Sequence, residues 1–153
     1  MIQIIATGKI PKEYRVIIND LIKRSSVYQK IDLIELKEVS LKSDESNLPE
    51  KLTKETEAAL SRAKGEIYIM DAGGKMFTTE EFTALVEKNE NIGQTLTFII
   101  GGSYGFDHDM IKSYKKISLS KMTMLHHMAS LVLVEAIYRA EKTMRGGKYD
   151  KEL

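Results

Sequence analysis

A chain of 153 residues can bury one sizeable core, and its lack of cysteine excludes disulfides, iron–sulfur clusters, thiol catalysis and sulfur-ligated zinc. A net charge of +1 with 29% charged residues leaves nucleic-acid binding to a local basic patch rather than a global field. No apolar run approaches the roughly eighteen residues of a membrane span, and a reducing, cytoplasmic setting with no membrane partner is the expectation.

Ile2 to Thr7 is a short apolar run closed by Gly8, with no basic region before it and Lys9, Pro11 and Lys12 soon after, so it reads as a first strand rather than a signal peptide. Pro11 opens a helical pattern with Tyr14, Ile17, Ile18, Leu21 and Ile22 expected on one face. Ile31 to Val39 mixes apolar residues with charges, as a strand near a sheet edge would, and Ser40 to Asn47 reads as a flexible connection. Pro49 starts a second helix carrying Leu52, Ala59, Leu60 and Ala63, which Gly65 stops.

Glu66 to Asp71 is a third strand, followed by an expected turn at Ala72-Gly73-Gly74-Lys75. Thr78 with Glu81 then forms a capping box for a helix bearing Phe82, Leu85 and Val86. Thr95 to Ile100 is nearly continuously apolar, the pattern of a strand inside a parallel sheet. Asp107 is expected to cap a short helix through Met110, Ile111 and Tyr114; Ile117 to Leu119 is a fifth strand, and a last helix runs from about Met128 to Met144. Alternating strands and helices predict one α/β domain over residues 1–153, with a mostly parallel sheet covered on both faces and ligands at the carboxyl ends of its strands. Those ends carry Asp71 to Lys75, Gly101 to Gly105 and Ser120 to His127.

Gly73-Gly74-Lys75 imitates the end of a phosphate-binding P-loop, but Ile69 and Met76 stand where that motif needs Gly and Ser or Thr. Gly101-Gly102 with Gly105 lacks dinucleotide-fingerprint spacing, yet two Cβ-free residues at a strand end allow a flat ligand to approach the backbone. Adjacent His126 and His127 are expected to diverge, and no Cys or His stands at ligand spacing, so metal chemistry is not expected. Either histidine could face a pocket and titrate near neutrality, while His108 is expected in solvent. The last helix is apolar around most of its circumference, which suggests burial in a dimer or a central position. The tail, with Arg145, Lys148, Tyr149 and Lys151 around Gly146-Gly147, could meet phosphate and stack a base, or be an idle terminus.

In this order these residues resemble the RlmH family, small SPOUT-class methyltransferases that modify N3 of a pseudouridine in large-subunit ribosomal RNA. The likeness runs from Ala6-Thr-Gly-Lys9 through Gly74-Lys75, Phe98-Ile-Ile-Gly-Gly-Ser103, Leu119-Ser-Lys-Met-Thr-Met124 and His126 to Tyr138-Arg139-Ala140, Met144-Arg-Gly146 and Tyr149. It implies a C-terminal trefoil knot, a homodimer packed through it, and S-adenosylmethionine held by Met70, Gly101, Leu119, Ser120, Lys121, Met122, Thr123 and Met124. It also implies ribosomal RNA or the assembled ribosome as partner, not DNA.

Loss of the N3 proton calls for a base such as His126, with Arg139 or Arg145 favouring the anionic ring. Tyr138 and the tail of one subunit would complete the pocket of the other. The chain departs from the family at Leu125, where Pro is usual, at Ser130, where Arg is usual on the RNA-facing side, and at Asp150, which replaces a His and is a second candidate base. Two other readings are a noncatalytic ribosome-binding assembly factor that keeps the knot and a flavodoxin-like nucleotide-binding domain.

Overall fold

The computed structural model describes residues 1–146. Five strands form one sheet: β1 (Ile2–Thr7), β2 (Ile31–Leu36), β3 (Glu66–Met76), β4 (Leu96–Ile100) and β5 (Lys115–Ser118), in the order β2-β1-β4-β3-β5 with every pairing parallel. Four helices complete the fold: α1 (Lys12–Ser25), α2 (Leu48–Arg62), α3 (Thr79–Asn91) and α4 (His126–Met144). β4 lies between β1 and β3, which departs from the 2-1-3-4-5 order of flavodoxin-like sheets and removes that reading.

Strand alternation divides the core. Ile2, Ile4 and Ala6 of β1 and Leu96, Phe98 and Ile100 of β4 face α1, α3 and α4, where they meet Ile18, Phe82, Leu133, Val134 and Ile137. Ile5, Ile69 and Ile99 face the opposite layer, built from Ala59 of α2 with Phe106 and Ile111. The α3 start matches its sequence signature: Thr78 Oγ1 accepts from Glu81 N at 3.0 Å while the Glu81 carboxylate accepts from Thr78 N at 2.9 Å. Gly65 is required at its turn, with φ +68° and a would-be Cβ 1.8 Å from the Thr95 carbonyl oxygen.

Five expectations are corrected. Ile17 is 50% exposed, because α1 buries the arc of Tyr14, Ile18, Leu21, Ile22 and Ser25, and Ile17 lies about 90° round from its centre. β2 ends at Leu36, since Val39 N donates to Glu55 Oε2 at 2.8 Å and Val39 O accepts from Lys51 Nζ at 2.7 Å, which ties the chain to α2 instead of the ladder. The expected turn at 72–75 is an extension of β3: Ile117 stands opposite both Met70 and Lys75, so four residues bulge out between two paired ends. A Cβ on Gly74 would lie 2.8 Å from the Ile117 nitrogen, so that close pairing needs glycine.

Residues 107–114 form turns rather than a helix. Asp107 N donates to Thr56 Oγ1 at 2.9 Å, Asp107 Oδ1 accepts from Asp109 N at 3.1 Å, and Lys116 Nζ takes the carbonyls of Ile111 and Tyr114. α4 starts at His126, two residues earlier than its apolar pattern, so both adjacent histidines belong to its first turn.

Candidate active site

The carboxyl ends of β3, β4 and β5 converge on a cavity of about 210 Å³. Met70 comes from the paired part of β3, Asp71 and Ala72 from its bulge, Gly101 and Gly102 from the end of β4, and Leu119, Ser120, Met122, Thr123 and Met124 from the segment after β5. His126 and Ala129 close it from the first turn of α4. Seven of the eight expected donor-binding residues therefore share one cavity, whereas Lys121 is exposed and does not line it. Phe106, His108 and Ile111 also line it; the sequence offered no signal for them beyond their position in the loop after β4.

The glycines shape that wall. A Cβ on Gly101 would stand 3.1 Å from Cε2 and Cζ of Phe106 and 3.2 Å from Gly105 O, so only glycine leaves the ring and turn undisturbed. The turn closes through Gly105 N donating to Gly102 O at 3.0 Å, with Gly105 at φ +80°. Ser118 Oγ donates to Ser120 O at 2.8 Å and Met122 N to Ser120 Oγ at 3.0 Å, holding the facing segment by local bonds.

The histidine expectation is also corrected. The rings of His126 and His127 do not diverge; their centroids are 3.9 Å apart. In the first turn no preceding turn restricts χ1, so both imidazoles swing to one side, with Tyr14 of α1 5.9 Å from His127. Burial pushes the His126 imidazole below its ordinary range, the neighbouring His127 adds to that effect, and Glu38 opposes it. His127 is lowered by burial against the opposing charges of Glu38 and Glu35. α4 has no side-chain cap at Leu125, so its exposed N–H groups also disfavour imidazolium here.

The remaining expected site residues are dispersed. Arg139 lies in a second cavity with Phe77, Thr78 and Leu119 and pairs with Glu135 at 2.5 Å. Tyr138 faces α1, where Arg24 is held above its ordinary range first by Asp20 and then by a hydrogen bond with Tyr138. Arg145 is committed to Glu141 at 2.6 Å and Glu90 at 2.7 Å, over the Tyr28 ring, and so is not available to a substrate ring. Ser130 is 1% exposed and its hydroxyl donates to His126 O at 3.2 Å, so this side chain faces the interior. Asp150 and Tyr149 lie outside the described residues.

The sequence also gave no warning of a buried ionic group behind His126. Lys51 and Glu55 have the i,i+4 spacing of an ordinary solvated helix pair, yet both are almost wholly buried.

Comparison with known proteins brings one family forward. The family model described as "Predicted SPOUT methyltransferase" matches residues 1–150. Proteins named ribosomal RNA large subunit methyltransferase H are similar over nearly their whole length. That of Mycoplasmopsis synoviae is 38% identical over 98% of this chain and 99% of its own, and that of Listeria monocytogenes is 35% identical over the same shares. That of Flavobacterium psychrophilum is 36% identical over 97% of each. Among solved structures, a methylase-family protein from Neisseria gonorrhoeae superimposes with a TM-score of 0.51 at 10% identity, over 90% of this chain and 81% of that one, a likeness of fold alone.

Proposed function

Because this chain belongs to the SPOUT methyltransferase family, we propose that it is an S-adenosylmethionine-dependent methyltransferase of large-subunit ribosomal RNA that acts on N3 of a pseudouridine. The observation that carries this reading is the cavity at the carboxyl ends of β3, β4 and β5, with His126 at its rim. Its walls suit the donor: Ile100, Ile117, Leu119 and the Met70 and Met124 thioethers offer apolar, polarisable surface, and Gly101 offers backbone without a Cβ. When bound, the donor supplies a methyl group on a positively charged sulfur, which becomes neutral as the methyl leaves.

Such chemistry asks enclosure and alignment of the protein more than a strong acid. Met70, Gly101 and the segment Leu119 to Met124 would hold the donor, with Ser120, Met122 and Thr123 along one side of it. Neutral His126 accepts the N3 proton, and its lowered basicity keeps it unprotonated near pH 7.

The same reading makes the chain one catalytic domain that works as a homodimer in the cytoplasm, where its ribosomal substrate is found. Met122, Leu125 and Met128 support the dimer, since they are exposed apolar residues next to the cavity. In a dimer, Arg139, Tyr138 and the tail with Asp150 would serve the partner's pocket. A trefoil knot suits the path of the chain: β5 is an edge strand, yet α4 returns beneath the middle of the sheet to pack between α1 and α3.

Calorimetry with S-adenosylmethionine and a labelled-methyl assay on ribosomes lacking the modification test the reading. Saturable binding and one methylated N3, mapped by mass spectrometry, are expected. Absence of binding overturns it, and binding without transfer to ribosomes or free ribosomal RNA favours the assembly factor.

A further inference from the structure

Behind the rim at His126 lies a charged cluster built from three segments. Lys51 is 2% exposed, and its Nζ donates to Glu55 Oε2 at 2.6 Å, Val39 O at 2.7 Å and Glu38 Oε1 at 3.1 Å. Glu38 Oε1 also accepts from Ser103 Oγ at 2.8 Å, which links the cluster to the glycine loop after β4. Two carboxylates share one ammonium, so the cluster carries one excess negative charge. The nearby Arg15–Glu35 pair, at 2.6 Å, is neutral as a whole and does not cancel it.

That excess is directed at the histidines. The point where a Cβ on Gly8 would stand lies 3.7 Å from Glu38 Oε2 and 3.6 Å from His126 Nε2. Gly8 has φ +99° and no side chain, so no Cβ stands beside the carboxylate and the imidazole there. The surroundings of His126 otherwise resist its protonation: its burial, His127 beside it, and the uncapped N-terminus of α4. A base in such a place needs a counterion for the proton it takes.

We propose that Glu38, held in place by Lys51 and Ser103, is a positioning residue for the methyl transfer and the counterion of a His126 imidazolium. The inference rests on the N3-methyltransferase reading above. The N3–H bond would break with its proton passing to His126 Nε2, and the electron pair left on N3 would take the methyl group as the S–CH3 bond breaks and leaves its electrons on the donor's sulfur. Glu38 remains ionised throughout, because Lys51 and Ser103 hold its carboxylate, and it touches neither substrate nor donor.

The test compares wild type, Glu38→Gln and Glu38→Asp by two measurements. The His126 imidazole is titrated by NMR in the protein alone, and kcat/KM for methyl transfer is followed against pH. Glu38→Gln is expected to lower the His126 midpoint by at least about half a pH unit and kcat by about tenfold, with donor affinity unchanged. Glu38→Asp retains the charge one methylene further away, so it should restore most of both and still shows a smaller downward shift if Glu38→Gln does not fold. A His126 midpoint unmoved in both variants overturns the proposal, as does equal loss of kcat in both with an unchanged pH profile. Wild type that titrates as described but methylates no N3 overturns the function reading instead, and the two failures are thereby distinguished.

Discussion

Replacing Lys51 by Met should cost this protein a large part of its stability. The ammonium is 2% exposed and makes three hydrogen bonds, two to carboxylates and one to the Val39 carbonyl. Methionine fills similar volume and satisfies none of them. The change leaves the Glu55 carboxylate buried without its cation, with Oε1 already unpartnered among the described residues. Breaking a buried pair in this way costs about 3–5 kcal/mol, mostly from the stranded charge. For a chain of 153 residues that corresponds to a Tm lower by roughly 6–20 °C.

Urea unfolding followed by circular dichroism measures it, in a cycle with Glu55→Met and the double variant. The double variant should recover at least about half of the Lys51→Met loss, because the wholly buried charge is then gone, although the partly exposed Glu38 lacks its cation and Val39 N its acceptor. A Lys51→Met protein within about 1 kcal/mol of wild type, or a double variant worse than the sum of both, would refute the assignment of a buried charge cluster.

Gly101→Val should weaken S-adenosylmethionine binding at least about tenfold in calorimetry, since its Cβ meets the Phe106 ring at 3.1 Å and its methyl groups enter the cavity; wild-type affinity would displace the donor from that wall. Burial alone would raise the Glu66 carboxyl, but hydrogen bonds from Lys115, Asn89 and Lys88 pull it from 4.5 to about 2. A depressed carboxyl stabilises the fold above its unfolded pKa, so this contribution is complete above about pH 5 and fades as pH falls towards 2. With both lysines exposed, it is roughly 1–2 kcal/mol; Glu66→Gln should show that deficit at pH 7 and almost none at pH 2, and a pH-independent deficit contradicts the linkage.

Where the signal is local, the sequence was readable. The Thr78–Glu81 capping box is four residues long and stands as read, and the nearly continuous apolar run of β4 required cover on both faces. Family resemblance, rather than spacing, brought Met70, Gly101 and Leu119 to Met124 together, and all but Lys121 face one cavity. What escaped depended on tertiary partners. Lys51 and Glu55 carry no mark of burial, because the same spacing serves a solvated helix face. Glu38 reads as one more charge after an edge strand until the Ser103 loop is folded over it. Asp107 resembles a helix cap in sequence, yet Thr56 and Thr53 claim its polar groups first. Arg145 resembles a phosphate ligand until Glu90 and Glu141 are seen to hold it.

The bulge of β3 has a bearing on how the proposed site would capture a donor. Because β5 pairs with β3 both before and after residues 71–74, that side of the cavity is anchored at two ends before anything binds. The side formed by Leu119 to Met124 rests on short-range bonds around Ser120. One jaw is thus fixed and the other adaptable, and the conformational entropy lost on binding falls on a single stretch of six residues. Substitutions in that stretch should change the residence time of the donor, whereas those that loosen the β3–β5 pairing should change whether a site forms at all.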